Sequence, residues 1–203
     1  MFVGGLQYIK RGILQNNPVF VNFIGLSPIL FAADSVKNGL TIGALFFVLL
    51  FVSTSVASLM RHMLVEKYRM IFMLFVISMV AGYLEFMAKS FMEPVAEGLG
   101  VFLPLLAVNC MVFHKCEFFA FENDITTVMC DSAGNGIGFT LGAVVVGFFA
   151  ELLCKGSVFG FKVLNTAAEL GGGVSYIFIF LTIGFIMGAV NLLSQRLKRN
   201  LGR

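Results

Sequence analysis

The four prolines of the chain fall into two copies of one pattern. Pro18-Val19 is followed by Pro28-Ile29-Leu30, and Pro94-Val95 by Pro104-Leu105-Leu106, so both prolines recur 76 positions on (18 to 94, 28 to 104). Proline lacks a backbone N–H and clashes with the preceding turn, so a helix running through it kinks or breaks. Each copy opens a short apolar segment. In hydrocarbon, backbone groups freed by a break must be satisfied by protein or by water in a cavity. Short, interrupted apolar segments at corresponding places in two halves of a membrane chain therefore point to a site at the bilayer midplane. The second copy ends in Val108-Asn109-Cys110, which sets an amide and a thiol deep in an apolar stretch.

The bilayer is the required setting because 59% of the 203 residues are hydrophobic and only 12% are charged. A soluble domain carries about 25% charged residues, and half that number cannot cover a water-facing surface. Residues 1–203 are expected to form a single integral transmembrane domain. The start does not resemble a cleaved signal, since Lys10 and Arg11 follow the first apolar residues and polar Gln15-Asn16-Asn17 comes next. A net charge of +3 gives no footing for nucleic acid.

Six apolar segments are expected, at 19–33, 38–60, 70–92, 98–113, 136–154 and 174–194. A full span needs ~20 apolar residues; the first and fourth segments are shorter and contain proline, so they are expected as tilted, broken or re-entrant half-helices. If all six cross, Lys10, Arg11, Arg61, Lys67, Arg69, Lys115, Arg196, Lys198, Arg199 and Arg203 share one side. The other side has Lys37, Lys89, Lys155 and Lys162. That bias puts both termini in the cytoplasm.

The duplication extends past the prolines. Asn38-Gly39-Leu40-Thr41-Ile42-Gly43-Ala44 opens the second segment, and Asn135-Gly136-Ile137-Gly138-Phe139-Thr140-Leu141-Gly142-Ala143 opens the fifth. The offset has grown to 97 at the asparagine (38 to 135), which implies a longer connection at roughly 114–134. Repeat 1 covers about 18–92 and repeat 2 about 94–194. Three crossings per copy invert the second relative to the first. The fold class expected is thus an all-α membrane protein, a six-helix bundle of two inverted three-helix repeats. Gly43, Gly82, Gly138, Gly142, Gly147, Gly184 and Gly188 fall inside apolar segments, where small residues let helices approach closely.

Cys110 is the leading candidate for chemistry. A free cysteine is commonly a small buried hydrophobe, but this one follows the proline of a short segment and sits beside an amide that needs a partner. A thiolate at midplane is costly unless neutralised, and a soft metal centre does that. One cysteine cannot hold a cluster, so further ligands must come from elsewhere. Cys116, Cys130 and Cys154 show no metal-type spacing and are expected to be incidental, with Lys115 lowering the Cys116 pKa. Glu85 lies inside the third apolar segment, where an acid is by default a proton or cation site, but it is four residues from Lys89, the spacing of an interfacial ion pair; Asp34 and Glu151 at segment ends read the same way. His62 and His114 have no partner spacing that argues for a metal. The aromatic and acidic stretch from Glu117 to Asp124 is expected along the interface or against a partner.

Several stretches resemble one family: Asn16-Asn17-Pro18-Val19, Gly25-Leu26-Ser27-Pro28, Pro104-Leu105-Leu106-Ala107-Val108-Asn109-Cys110, Glu117 to Asn123, Asp131 to Thr140 and Gly156-Ser157-Val158-Phe159-Gly160. They are similar to the paired six-helix membrane subunits of the Rnf electron-transport complex and of the Na⁺-translocating NADH:quinone oxidoreductase, most closely the RnfE/NqrD type. The resemblance covers nearly the whole chain. It implies pairing with a paralogous six-helix subunit of opposite topology (RnfA/NqrE-like), in a bacterial or archaeal cell membrane, with further subunits carrying flavin and iron–sulfur groups. It also implies a [2Fe-2S] cluster at midplane, two cysteines from each paired subunit, passing electrons across the membrane coupled to Na⁺ or H⁺ movement. Cys110 matches one of those cysteines. Ser27 stands at the position of the other, and a serine alkoxide is a harder, more basic ligand than a thiolate. The resemblance thus implies a subunit of a redox-driven ion translocase. Its alternatives are a cluster-free structural paralogue in the same complex, or a small-solute or ion transporter on the inverted-repeat scaffold.

Overall fold

The computed structural model describes residues 27–29, 35–61, 63–91, 102–155, 157–158, 161–162, 180–181, 183–185, 188 and 191–192. Three long helices organise them: α1 (Val36–Met60), α2 (Glu66–Phe91) and α5 (Ile125–Lys155). Among the described residues between α2 and α5 are two short helices, α3 (Phe102–Leu105) and α4 (Cys110–His114), with a 3₁₀ turn at Leu106–Val108 between them and a π-helical turn at Lys115–Phe119 after α4. Stretches 36–60, 67–91 and 125–152 are each long and apolar enough to cross a membrane. This is an integral membrane protein. The remaining described residues of the sixth apolar segment are helical, as are 27–29 in the first. The one strand pairing among the described residues is a two-residue antiparallel ladder, Ser157–Val158 with Phe161–Lys162.

α1 and α5 run antiparallel along their lengths. Val36 meets Glu151, Gly43 meets Thr140, Thr54 meets Ser132, and Arg61 meets Asp124. Glycines make the approach possible. A Cβ on Gly39 would lie 2.6 Å from the Ala143 carbonyl oxygen, one on Gly43 2.7 Å from the Thr140 Cα, and one on Gly147 2.6 Å from the Ser35 carbonyl oxygen. Backbone thus lies on backbone, which is how membrane helices gain packing where lipid and side chains are equally apolar. At the same crossing Phe46 and Phe139 stack with ring centroids 3.8 Å apart, both fully buried.

Polar groups tie the two ends of this pair. The N-terminus of α1 has donors without intrahelical partners. Ser35, the N-cap, accepts from the Asn38 N–H, and the Glu151 carboxylate, buried on α5, accepts from the Val36 N–H at 3.1 Å. Glu151 is therefore a cross-helix cap, in place of the interfacial ion pair expected from its position. Nearer the other end, Thr54 and Ser132 share a buried hydroxyl–hydroxyl bond of 2.7 Å. Glu85 and Lys89 do form their i,i+4 ion pair, at 2.6 Å.

α5 corrects one sequence boundary. It begins at Ile125, so most of the expected 114–134 connection is helix. Its 31 residues span ~46 Å at 1.5 Å per residue, well beyond a ~30 Å hydrocarbon core. Its first turns carry Asp131 and Asn135, and Asp124 precedes them. The segment expected at 98–113 is broken, and its second part continues helically to Phe119.

Gly43→Leu places side-chain atoms into the α5 backbone and is expected to destabilise the fold by roughly 1–3 kcal/mol, read as a lower melting temperature in detergent. Gly82→Leu, where an added Cβ meets nothing within 4 Å, is expected to leave it unchanged.

Candidate functional site at the broken segment

The break comes five residues after Pro104. α3 tightens into the 3₁₀ turn, where the Asn109 N–H bonds the Leu106 carbonyl at 3.3 Å. Asn109 then leaves the helical region, with φ −72° and ψ 119°, and the chain restarts as α4 with Cys110 as its first residue. Asn109 makes the restart possible. Its Oδ1 accepts from the Met111 N–H at 2.9 Å, and its carbonyl accepts from the Phe113 N–H. This is N-capping by one of the residues best suited to it. The other end of the same amide is unsatisfied among the described residues: Asn109 is 2% exposed and its Nδ2 has no hydrogen-bond partner there. A buried orphaned donor costs on the order of 1–3 kcal/mol.

The break faces outward. Val108 is 81% exposed, and Pro104, Leu105 and Cys110 are exposed beside it. Behind them Leu106, Met111 and Val112 are buried in the core. Irregular backbone at membrane depth is not left against lipid; it is covered by protein or lines a wet cavity. Ser27 is also exposed, at the start of the helical turn 27–29, with Pro28 and Ile29 buried. Among the described residues no group of three His, Cys, Asp or Glu converges to hold a metal.

After Cys110 the chain is anchored firmly. The Ala120 N–H reaches back to the Lys115 carbonyl at 2.9 Å, which is the i→i+5 bond of a π turn. Lys115 Nζ pairs with Asp131 on α5 at 2.6 Å and lies over the Phe119 ring. Arg69 on α2 stacks its guanidinium 3.7 Å from the Phe121 ring centroid, and Arg61 pairs with Asp124 at 2.8 Å. The aromatic stretch from Glu117 to Asp124 is thus folded onto this protein's own core through Phe119 and Phe121.

Cys116 departs from expectation. Its neighbour Lys115 is committed to Asp131, and adjacent residues on a helix do not face each other. The thiol is completely buried. It cannot share an exposed site with Cys110. Cys130 is half-buried on α5. Asp34, His62 and the Cys154 side chain lie outside the described residues.

Sequence reasoning missed three functional contacts: the Asn109 cap, the Lys115–Asp131 pair and the Glu151 cap. An Asn directly before Cys in a Pro-interrupted apolar stretch was the available signal for the first. The other two join residues 16 and 115 positions apart and left no local signal.

Comparison with known proteins gives one consistent picture. The family model described as Rnf-Nqr subunit, membrane protein, matches residues 6–193. The E-type subunit of the Na⁺-translocating ferredoxin:NAD⁺ oxidoreductase complex of Acetobacterium woodii is 32% identical over 192 residues, covering 92% of this chain and 95% of that protein. The E-type subunit of an ion-translocating oxidoreductase complex of Methanosarcina acetivorans is 31% identical, covering 92% and 90%. The corresponding protein of Cellvibrio japonicus is 33% identical, covering 76% of this chain and 65% of that protein.

Two outcomes follow from the geometry. Among single-cysteine variants in detergent at pH 8, maleimide is expected to label the exposed Cys110 rapidly and to spare Cys116, whose thiol is fully buried; unfolding in dodecyl sulfate is expected to abolish the difference. Lys115→Met leaves Asp131 largely buried without its counter-charge and is expected to cost about 2–3 kcal/mol, most of it recovered by adding Asp131→Leu, as read by thermal unfolding.

Proposed function

The chain belongs to the Rnf-Nqr family of membrane protein subunits, and we propose that it is the E-type subunit of an ion-translocating ferredoxin:NAD⁺ oxidoreductase, contributing half of an electron-carrying site at the midplane. The observation that carries this reading is the exposed break at Val108-Asn109-Cys110. A thiol at the end of an interrupted, uncovered stretch in an apolar segment is what a site completed by a second chain requires.

An inverted repeat is supported by the register of α1 against α5. A two-fold axis in the membrane plane makes equivalent helices antiparallel and brings equivalent residues together where it passes between them. Gly43 lies against Thr140, 97 positions on, and Asn38 is separated from its counterpart Asn135 by the same 97. On this reading the paired partner is a paralogous six-helix subunit of opposite topology. The Arg61, Arg69 and Lys115 end of the bundle is cytoplasmic, in keeping with the distribution of basic residues.

The donors suit half of a shared [2Fe-2S] cluster: an exposed thiol at Cys110 and an exposed hydroxyl at Ser27, with no group of three His, Cys, Asp or Glu converging among the described residues. When bound, such a cluster accepts and gives up one electron at a time. The chain's own contribution is positional. Asn109 fixes the helix start and with it the direction of the Cys110 side chain. The Lys115–Asp131 pair holds the far end of the same segment to α5. Val108 and Leu105 meet the partner chain and keep water out. One relative is named for Na⁺ translocation and another for proton translocation, and the ion moved by this complex is a small monovalent cation of that kind.

Ser27 favours a second reading, a cluster-free structural subunit. The two separate cleanly. Iron analysis and electron paramagnetic resonance on the purified complex are expected to show a [2Fe-2S] signal that Cys110→Ala abolishes together with electron transfer. A complex in which Cys110→Ala leaves both iron content and electron transfer unchanged belongs to the structural reading.

A further inference from the structure

The helix that restarts at Cys110 puts a second soft-metal ligand beside it. α4 runs from Cys110 to His114, so the thiol and the imidazole stand at i and i+4 on one helical face, both exposed. Residues so spaced have Cβ atoms ~5–6 Å apart. Helical side chains tilt toward the N-terminus, so the imidazole leans back over the turn that carries the thiol. His114 is also packed against a neighbour: its ring lies at 42° to that of Phe118, with centroids 5.1 Å apart. Neither side chain has a hydrogen-bond partner among the described residues. Next to Cys110 in sequence is Asn109, 2% exposed, whose Nδ2 has no hydrogen-bond partner among the described residues.

We propose that Cys110 and His114 are the two ligands this chain gives to the shared cluster, with His114 taking the place that Ser27 fills poorly. The inference rests on the reading of a shared metal site given above. Thiolate and imidazole both suit iron, and mixed cysteine–histidine ligation of a [2Fe-2S] cluster has precedent, where it raises the reduction potential. A serine must lose a strongly held proton to become a comparable ligand; a neutral imidazole ligates without losing one. It also adds no negative charge where charge is expensive to bury. Cys116 is excluded because it faces the core, and on this inference the remaining two ligands lie on the partner chain.

The test uses the intact purified complex with histidine labelled with ¹⁵N, comparing wild type, His114→Ala, His114→Cys and Ser27→Ala. The inference expects directly bonded imidazole nitrogen coupling in the cluster's pulsed paramagnetic resonance spectrum. It expects loss of that iron in His114→Ala, and iron retained in His114→Cys with the nitrogen coupling gone and the potential lowered. Ser27→Ala is expected to match wild type. A wild-type cluster without nitrogen coupling, or one unchanged in His114→Ala, overturns the inference while leaving the shared site intact. A wild-type complex without iron at this subunit pair instead overturns the reading on which it rests.

Discussion

Backbone-to-backbone contact between α1 and α5 is the constraint on which the rest depends. Gly39 and Gly43 on one helix and Gly136 and Gly147 on the other leave no room for a Cβ. In a bilayer that closeness is a main source of helix association, because exposing an apolar side chain to lipid costs almost nothing. The Phe46–Phe139 stack and the Thr54–Ser132 bond fix the register once the helices are close. Glu151 and the Arg61–Asp124 pair then close the opposite ends. α2 and the broken 102–119 segment pack on this pair, and they can be less regular because it is so regular.

The broken segment concentrates the irregular features of the described chain. A 3₁₀ turn, a capped break and a π turn occur within Leu106–Phe119. Each departs from the α-helical bonding that hydrocarbon favours, and each is secured by a named group: Asn109 at the break, Lys115 and Asp131 at the π turn. Holding a helix end rigidly at this depth gives no packing advantage over an unbroken span. It makes physical sense if the end presents Cys110 and its neighbours to another chain. The Asn109 amide belongs to the same segment, a buried donor with no partner among the described residues.

Much of this was legible in the sequence. Paired prolines located the interruption, and Asn-Gly elements located the two helices that pack together. The boundary of α5 was not legible. Asp124, Asp131 and Asn135 resemble a loop in composition, yet Val128, Asp131, Ser132 and Asn135 recur at helical spacing and are buried. A span that overshoots the hydrocarbon carries polar residues without ceasing to be helix. Cys116 was misjudged because sequence adjacency to Lys115 was taken for proximity, whereas successive helical side chains diverge by about 100°. His114 escaped notice for the converse reason: its relation to Cys110 exists only once the helix is known to restart at that cysteine.

The most direct test is the density around Val108 and Cys110 in an experimental structure of the intact complex. The account predicts that a second polypeptide covers Val108 and that a metal centre is bonded to the Cys110 sulfur between the two chains. Lipid acyl chains packed against Val108, with a free Cys110 thiol, would contradict it.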